Sequence, residues 1–108
     1  MTSNRTRLPA TRHGKTHKIQ ISESCTLYVT VNVDASGRPL EIFVKAKNGH
    51  QGWSDALALT ASLALQYGTP LHKITSKWRG MRFAPDGLQA SSIPDAIARM
   101  LESEEYLK

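Results

Sequence analysis

Two groups of cationic and aromatic residues have the types and spacing that could bind a ligand. The first is a polar loop before a predicted helix, where Lys47 and Gly49 precede the helix start. Free amides at a helix N-terminus, together with a lysine, are the parts of an anion site. The loop matches no Walker motif, and most such loops only connect two elements. An anion site and a plain connection therefore both stay open.

The second group lies after a predicted helix and contains two arginines, Arg79 and Arg82, beside Trp78 and Phe83. Arginine forks with neighbouring aromatic rings suit phosphates and stacked bases. The alternative is that the arginines face solvent and the rings belong to the core. The sequence thus gives a candidate nucleotide site made of Lys47, Gly49, Trp78, Arg79, Arg82 and Phe83.

The positive charge is concentrated near the N-terminus. The chain has 14 Lys and Arg against 9 Asp and Glu, a formal net charge of +5, and its first acidic residue is Glu23. A basic arm can bind a phosphate backbone in a salt-dependent way or contact a partner, although many are only solubilising tails. The candidate contacts to nucleic acid or a partner are Arg5, Arg7, Arg12, Lys15 and Lys18.

Residues for catalysis or metal binding do not form a recognisable pattern. His13, His17, Cys25 and His50 lack the spacing typical of zinc ligands. A Ser-His-Asp triad can be claimed only from geometry. One cysteine in the chain leaves no internal disulfide. We therefore predict no metal, no cofactor and no enzyme activity for this chain in isolation.

Length and N-terminal composition indicate one domain and its compartment. The chain has 108 residues, which suits a single core. Its N-terminus lacks the apolar run of a secretory signal, which predicts a cytoplasmic protein, in a bacterium or a phage-infected cell. Residues 1–16 are predicted to be a basic extended arm, and residues 17–108 a single domain.

An apolar segment from Ser54 to Gly68 must position the rest of the chain. It has no charged residue from Ala56 to Tyr67, which predicts a central helix that is buried on nearly all sides. It is too short to span a bilayer. Ser54 is the predicted N-cap, and Gly68 followed by Pro70 is the predicted stop.

Strands are predicted on the N-terminal side of this helix. Residues 26–33 and 40–46 alternate apolar and polar side chains around a turn at 34–37, in which Gly37 can take a positive φ. The result is a hairpin with one buried face, which would cover the helix. Residues 18–21 begin a similar alternation and predict a further short strand.

Two shorter helices are predicted after the central one. Thr69 would cap the first, with Pro70 at its first helical position. The second would start near Ser91–Ser92 with a capping box between Ser92 and Asp95. Together the elements predict an α+β domain, a small antiparallel sheet built on the hairpin and packed against the central helix. Because a small sheet leaves exposed edges, we expect a homodimer.

Short motifs along almost the whole chain follow one another in the order found in a known family. They are Arg7-Leu8-Pro9, Arg12, Gly14, Thr16, Lys18, Tyr28, Gly37-Arg38, Glu41-Ile42-Phe43, residues 62–68, Pro70-Leu71, Arg82-Phe83, Pro85, Gly87, Ser92-Ile93, Arg99 and Tyr106-Leu107. This order resembles the region beyond the catalytic barrel in adenosylcobalamin-dependent (class II) ribonucleotide reductases, the module called the TSCPD domain.

The resemblance implies binding without catalysis. Reductase chemistry needs a barrel, a radical-generating cofactor and several redox cysteines, and this chain has one cysteine. The Thr-Ser-Cys-Pro-Asp segment that names the family reads Ser91-Ser92-Ile93-Pro94-Asp95 here, with isoleucine at the cysteine position. The implied function is a non-catalytic accessory or regulatory module that docks on a reductase catalytic chain, or a nucleotide-binding module. The alternatives are a stand-alone phage-type protein that sequesters a nucleotide or host protein, and a nucleic-acid-binding protein that uses its basic arm.

Overall fold

The structure is a computed structural model that describes residues 4–22, 25–46, 51–81, 93–103 and 106. Three strands are followed by three helices, which confirms the predicted α+β class. The elements are β1 (His13–Ser22), β2 (Cys25–Val33), β3 (Pro39–Ala46), α1 (Gln51–Gln66), α2 (Leu71–Trp78) and α3 (Ile93–Ser103). None of the helices in these residues is long and apolar enough to cross a membrane.

The sheet is an antiparallel meander with the order β1-β2-β3. Its central strand alternates as predicted, because Leu27, Val29 and Val31 are fully buried on the face that meets the helices. The first strand is longer than predicted, since it begins at His13 and not at Lys18. It therefore starts inside the range that the sequence predicts to be an extended arm.

The hairpin turn between β2 and β3 forms as predicted around Asp34. Its Oδ1 accepts hydrogen bonds from the backbone amides of Ser36 and Arg38, both at 2.9 Å, and from the Ser36 hydroxyl at 2.7 Å. Gly37 has a φ of +87°, a left-handed conformation that glycine adopts without strain. Hydrogen bonding, first of all from the Ser36 side chain, lowers the pKa of Asp34.

Helix α1 begins three residues earlier than predicted. Ser54 therefore lies inside the helix and is fully buried, and its Oγ has no partner among the described residues, so the N-cap prediction is wrong. The predicted stop is confirmed. Gly68 has a φ of +106°, and the amides of Gly68 and Thr69 bind the carbonyls of Leu65 and Ala64 in a Schellman arrangement.

The expectation that α1 is buried on nearly all sides is also wrong. Its inner face buries Ala58, Ala61 and Leu65, but Leu59 and Leu63 on the outer face are 64% and 39% exposed. The reason is that α1 packs mainly along β3, whereas α2 packs mainly against α3 and α3 also meets β1. One side of α1 is therefore left open.

Helices α2 and α3 complete the core. Helix α2 begins at Leu71 with Pro70 as its N-cap in an extended conformation, so Thr69 does not hold the predicted capping position. Helix α3 buries Ile93, Ile97 and Leu101. Asp95 is buried and accepts from the Gly80 amide at 2.8 Å, which joins α3 to the end of α2. Its predicted partner Ser92 lies outside the described residues.

Candidate binding sites

A polar seam joins the inner face of α1 to the outer edge of β3. Ser62 Oγ accepts from the Ile42 amide at 2.8 Å, and Gln66 Nε2 donates to the Leu40 carbonyl at 3.0 Å. At the other end, Gln51 accepts from the Ala46 amide and donates to the Val44 carbonyl, both at 2.7 Å. Because β3 is an edge strand, these side chains satisfy backbone groups that a further strand would otherwise pair.

An apolar groove runs along the solvent side of this seam. Its volume is about 280 Å³, and its walls are Phe43 on the strand and Leu59 and Leu63 on the helix. These three side chains are 54%, 64% and 39% exposed. Large apolar side chains grouped at the surface in this way are a common feature of interaction surfaces.

One end of the groove is closed by a charged cluster on the polar face of the sheet. Arg12 binds both carboxylate oxygens of Glu41, with Nε at 2.9 Å from Oε1 and Nη2 at 3.4 Å from Oε2. Asn32 donates to the same carboxylate at 3.0 Å. Burial opposes the ionisation of Glu41, but these hydrogen bonds and the positive charge of Arg12 outweigh it, so the pKa of Glu41 is lowered.

Gly14 makes room for this cluster. A Cβ atom at Gly14 would collide with Oδ1 of Asn32 and with the backbone carbonyl of Val31 on the neighbouring strand. The absence of a side chain at this position therefore lets Asn32 lie against β1 with its amide directed to Glu41.

A second cavity lies between the start of β3 and the start of α2. Its volume is about 210 Å³, and Arg38, His72 and Tyr106 give it a cationic and aromatic lining. The hydroxyl of Tyr106 hydrogen-bonds His17 Nε2 at 2.7 Å, and the two rings meet edge to face. Arg38 Nη2 donates to the Leu65 carbonyl at 3.2 Å, which holds its guanidinium at the cavity wall.

The predicted nucleotide site is only partly described. Trp78 is 8% exposed and belongs to the core, so its ring is not available for a base to stack on. Arg79 Nη1 lies 3.1 Å from a Glu102 oxygen, and the Arg79 side chain is about half exposed. The other predicted members, Lys47, Gly49, Arg82 and Phe83, lie outside the described residues, so that site as a whole stays a prediction.

The basic residues of the N-terminal region do not form one surface. Arg5 Nε donates to Gln66 Oε1 at 2.5 Å, and Arg12 is bound to Glu41. Lys15 and Lys18 are exposed on β1. They point to opposite faces of the sheet because side chains alternate along a strand and the two residues are three positions apart. Arg7 is also exposed. Contacts of these residues with nucleic acid or a partner stay a prediction.

The described chain also contains metal-ligating and nucleophilic side chains outside these surfaces. No three His, Cys, Asp or Glu side chains of these residues lie close enough to hold a metal ion together. Cys25 is buried, and burial raises the pKa of its thiol, which keeps it protonated at neutral pH.

Sequence reasoning missed the seam and the second cavity. The seam had a signal, because Ser62 and Gln66 are four residues apart in a helix with no charged residue after Asp55, and Gln51 lies on the same side three turns earlier. The cavity had none that could be read locally, since His17 and Tyr106 are 89 residues apart.

Comparison with known proteins connects this geometry to one family. The family model of the TSCPD domain matches residues 2–105. The chain is 39% identical over 107 residues to a vitamin B12-dependent ribonucleotide reductase from Rhodopirellula baltica, an alignment that covers 90% of this chain and 10% of the reductase. No solved structure matches the chain significantly.

Other reductases give the same picture. The vitamin B12-dependent ribonucleotide reductases of Streptantibioticus cattleyicolor and Streptomyces clavuligerus are 37% and 36% identical over 107 residues, with 90% of this chain aligned in each case. The alignments cover 18% and 11% of those proteins. The chain thus spans between a tenth and a fifth of the length of the curated relatives it matches.

Proposed function

Because the chain belongs to the TSCPD domain family, we propose that it is a non-catalytic accessory or regulatory module that binds a nucleotide. The cavity lined by Arg38, His72 and Tyr106 carries this proposal. Its lining combines a guanidinium, an imidazole and a phenol ring, which are the groups that bind a phosphate and stack on a base.

The details of the cavity support an anionic ligand with a ring. Arg38 uses one Nη2 hydrogen bond for the Leu65 carbonyl, and its other N–H groups can bind phosphate oxygens. The hydrogen bond between His17 and Tyr106 fixes the ring of Tyr106. A volume of about 210 Å³ is below the 300–1,000 Å³ of typical small-molecule sites. We therefore expect one phosphate or one base to enter, with the rest of the ligand along the surface of α2.

The relatives support the same class of ligand. They are named as ribonucleotide reductases, and the part that resembles this chain is a small fraction of their length. A module of this family that binds a nucleotide could act as an accessory to such an enzyme or hold the nucleotide by itself.

A thermal melt of the purified protein with ribonucleotides, deoxynucleotides and cyclic mono- and dinucleotides tests nucleotide binding. A ligand that binds only the folded chain stabilises it by about 2.7 kcal/mol at a hundredfold excess over its Kd. We expect a selective shift that Arg38→Met and His72→Ala reduce and that the control Lys45→Ala leaves unchanged, since Lys45 is exposed on β3 and outside the cavity.

Two results would contradict the assignment. No shift with any nucleotide in the panel would remove nucleotide binding. A shift that survives both cavity variants but is lost in Arg79→Ala would move the ligand to the loop after α2, which the sequence predicts.

The second candidate function is docking on a reductase catalytic chain, and the 36–39% identity to such enzymes favours it. The test is co-expression with a vitamin B12-dependent catalytic chain from which the matching segment has been removed. We expect this chain to co-elute in gel filtration with the shortened catalytic chain. We expect it not to co-elute with the intact reductase. Separate elution with both would count against an accessory role.

A further inference from the structure

We propose that the groove between β3 and α1 is the surface through which two copies of this chain form a two-fold dimer. Phe43, Leu59 and Leu63 line the groove and are all substantially exposed. The residues that line the groove do not overlap with those that line the Arg38 cavity. Dimer formation and nucleotide binding can therefore be tested independently.

The apolar area matches the centre of a dimer interface. Tyr67, which is 51% exposed, continues the row of Leu59 and Leu63 at a spacing of four residues. The four large side chains, Phe43 included, together expose on the order of 400 Å². A standard interface buries about 800 Å² per partner, with an apolar centre inside a polar rim. The patch therefore supplies about half of the area that a stable dimer needs from each copy.

The two ends of the groove carry opposite charges. Asp55 lies at one end, near the start of α1. Arg5 lies at the other end, where its Nε binds the side chain of Gln66 in the last turn of the helix. Because an α-helix rises 1.5 Å per residue, the two ends are about 16 Å apart along the groove. Glu41 also lines the Arg5 end, but Arg12 neutralises its charge.

This pattern is complementary to itself after a half turn. Rotation of a second copy about an axis through the apolar centre places its Asp55 opposite Arg5 of the first copy, and its Arg5 opposite Asp55. The leucines and Phe43 of the two copies then cover one another. An isologous interface requires this kind of self-complementary surface. A partner of uniform charge would match one end of the groove and be repelled by the other.

Sedimentation equilibrium of the full chain tests the interface. We expect a concentration-dependent dimer for the native chain and a monomer for Leu59→Glu, which places a charge at the apolar centre. Circular dichroism should show an unchanged fold, since the Leu59 side chain is already in solvent. The matched control is Lys77→Glu on the exposed side of α2, which should dimerise as the native chain does.

A mixing experiment tests the charge pairing. Arg5→Glu alone and Asp55→Arg alone each place like charges at both ends of the dimer, so each should weaken association by at least about tenfold. Mixed together, the two variants restore opposite charges at both ends and should form a heterodimer with near-native affinity. Only a two-fold arrangement of these two residues predicts this recovery.

Three results would overturn the proposal. The first is a native chain that is monomeric at the highest attainable concentration. The second is a Leu59→Glu variant that dimerises like the native chain, which would place the interface elsewhere. The third is a mixture of the charge variants that associates no better than its components, which would exclude the antiparallel pairing of Arg5 with Asp55.

Discussion

Helices α1 and α3 satisfy burial in opposite ways. Helix α3 turns apolar side chains such as Ile97 inward and leaves the Arg99 side chain more than half exposed. Helix α1 places Ser62 and Gln66 inward and leaves Leu59 outside. The inner face of α1 still packs small apolar residues, but its strongest directional contacts are hydrogen bonds to the edge of β3.

The difference follows from what each helix covers. Helix α3 covers side chains of the core mainly through apolar contact, and its buried Asp95 is satisfied by the Gly80 amide. Helix α1 covers an edge strand, whose backbone amides and carbonyls are costly to bury without partners. A helix on a strand edge therefore needs polar residues inward, and its apolar residues are free to serve a different surface.

The largest expected effect is on α3, the helix that turns large apolar side chains toward the core. Ile97 is fully buried, so Ile97→Ala removes apolar contact and leaves a cavity. We expect a loss of about 2–5 kcal/mol in the free energy of unfolding, measured by urea denaturation. Ser103→Ala, at an exposed position of the same helix, is the control and should cost little.

The seam gives the next largest effect. Ser62→Ala leaves the buried Ile42 amide without its side-chain acceptor, which should cost about 1–3 kcal/mol. Hydrogen exchange of the Ile42 amide should become faster than in the native chain. Thr60→Ala removes an exposed hydroxyl from the same helix and is the matched control. If the two variants were equally stable, the hydrogen bonds of the seam would contribute nothing to the free energy of unfolding.

The Glu41 cluster at the end of the groove gives a smaller, pH-dependent effect. The pKa of Glu41 is lowered in the folded chain. The ionised carboxylate therefore contributes stability above the ordinary Glu pKa of about 4.3. This contribution is lost as the pH falls through the pKa of the folded chain. Glu41→Gln should therefore be less stable than the native chain at pH 7 and close to it at pH 3. Asp34 titrates in both proteins and cancels from the comparison.

The smallest effect is expected on the open side of α1. Leu63→Ser should change the free energy of unfolding by no more than about 0.5 kcal/mol at concentrations where the chain is monomeric. Leu65→Ser, two residues away but 1% exposed, should cost several times more. Equal losses in the two variants would show that the outer face is covered within a single chain.

Local patterns predicted most of the fold. The alternation in β2 and β3, the turn at Gly37 and the stop at Gly68 follow from backbone sterics and short-range periodicity, and the structure confirms them. The start of α1 was wrong because Ser54 is buried in the helix and does not cap it. The prediction that α1 is buried on nearly all sides was wrong because the composition of a helix does not show which other elements pack around it.

The binding surfaces were less predictable for the same reason. Arg38, His72 and Tyr106 come from three distant parts of the chain. Arg38 and Tyr106 belong to the motifs that carry the family resemblance, but no local pattern indicates that the three residues meet. For Trp78 the sequence left a ligand contact and a core position both open, and the structure places it in the core. Charge singled out Arg5 and Arg12 together with Arg7, Lys15 and Lys18. The structural partners of Arg5 and Arg12, Gln66 and Glu41, could not be read from sequence.

The bond between His17 and Tyr106 has a consequence for the order of folding. The meander and α1 join elements that are neighbours along the chain, whereas this contact closes a loop of most of its length and carries the larger closure entropy. We expect Tyr106→Phe to speed unfolding and to leave the folding rate unchanged in stopped-flow measurements. The aromatic wall of the Arg38 cavity is then the last part to be assembled, so a chain that has folded only its sheet and α1 does not yet contain this cavity.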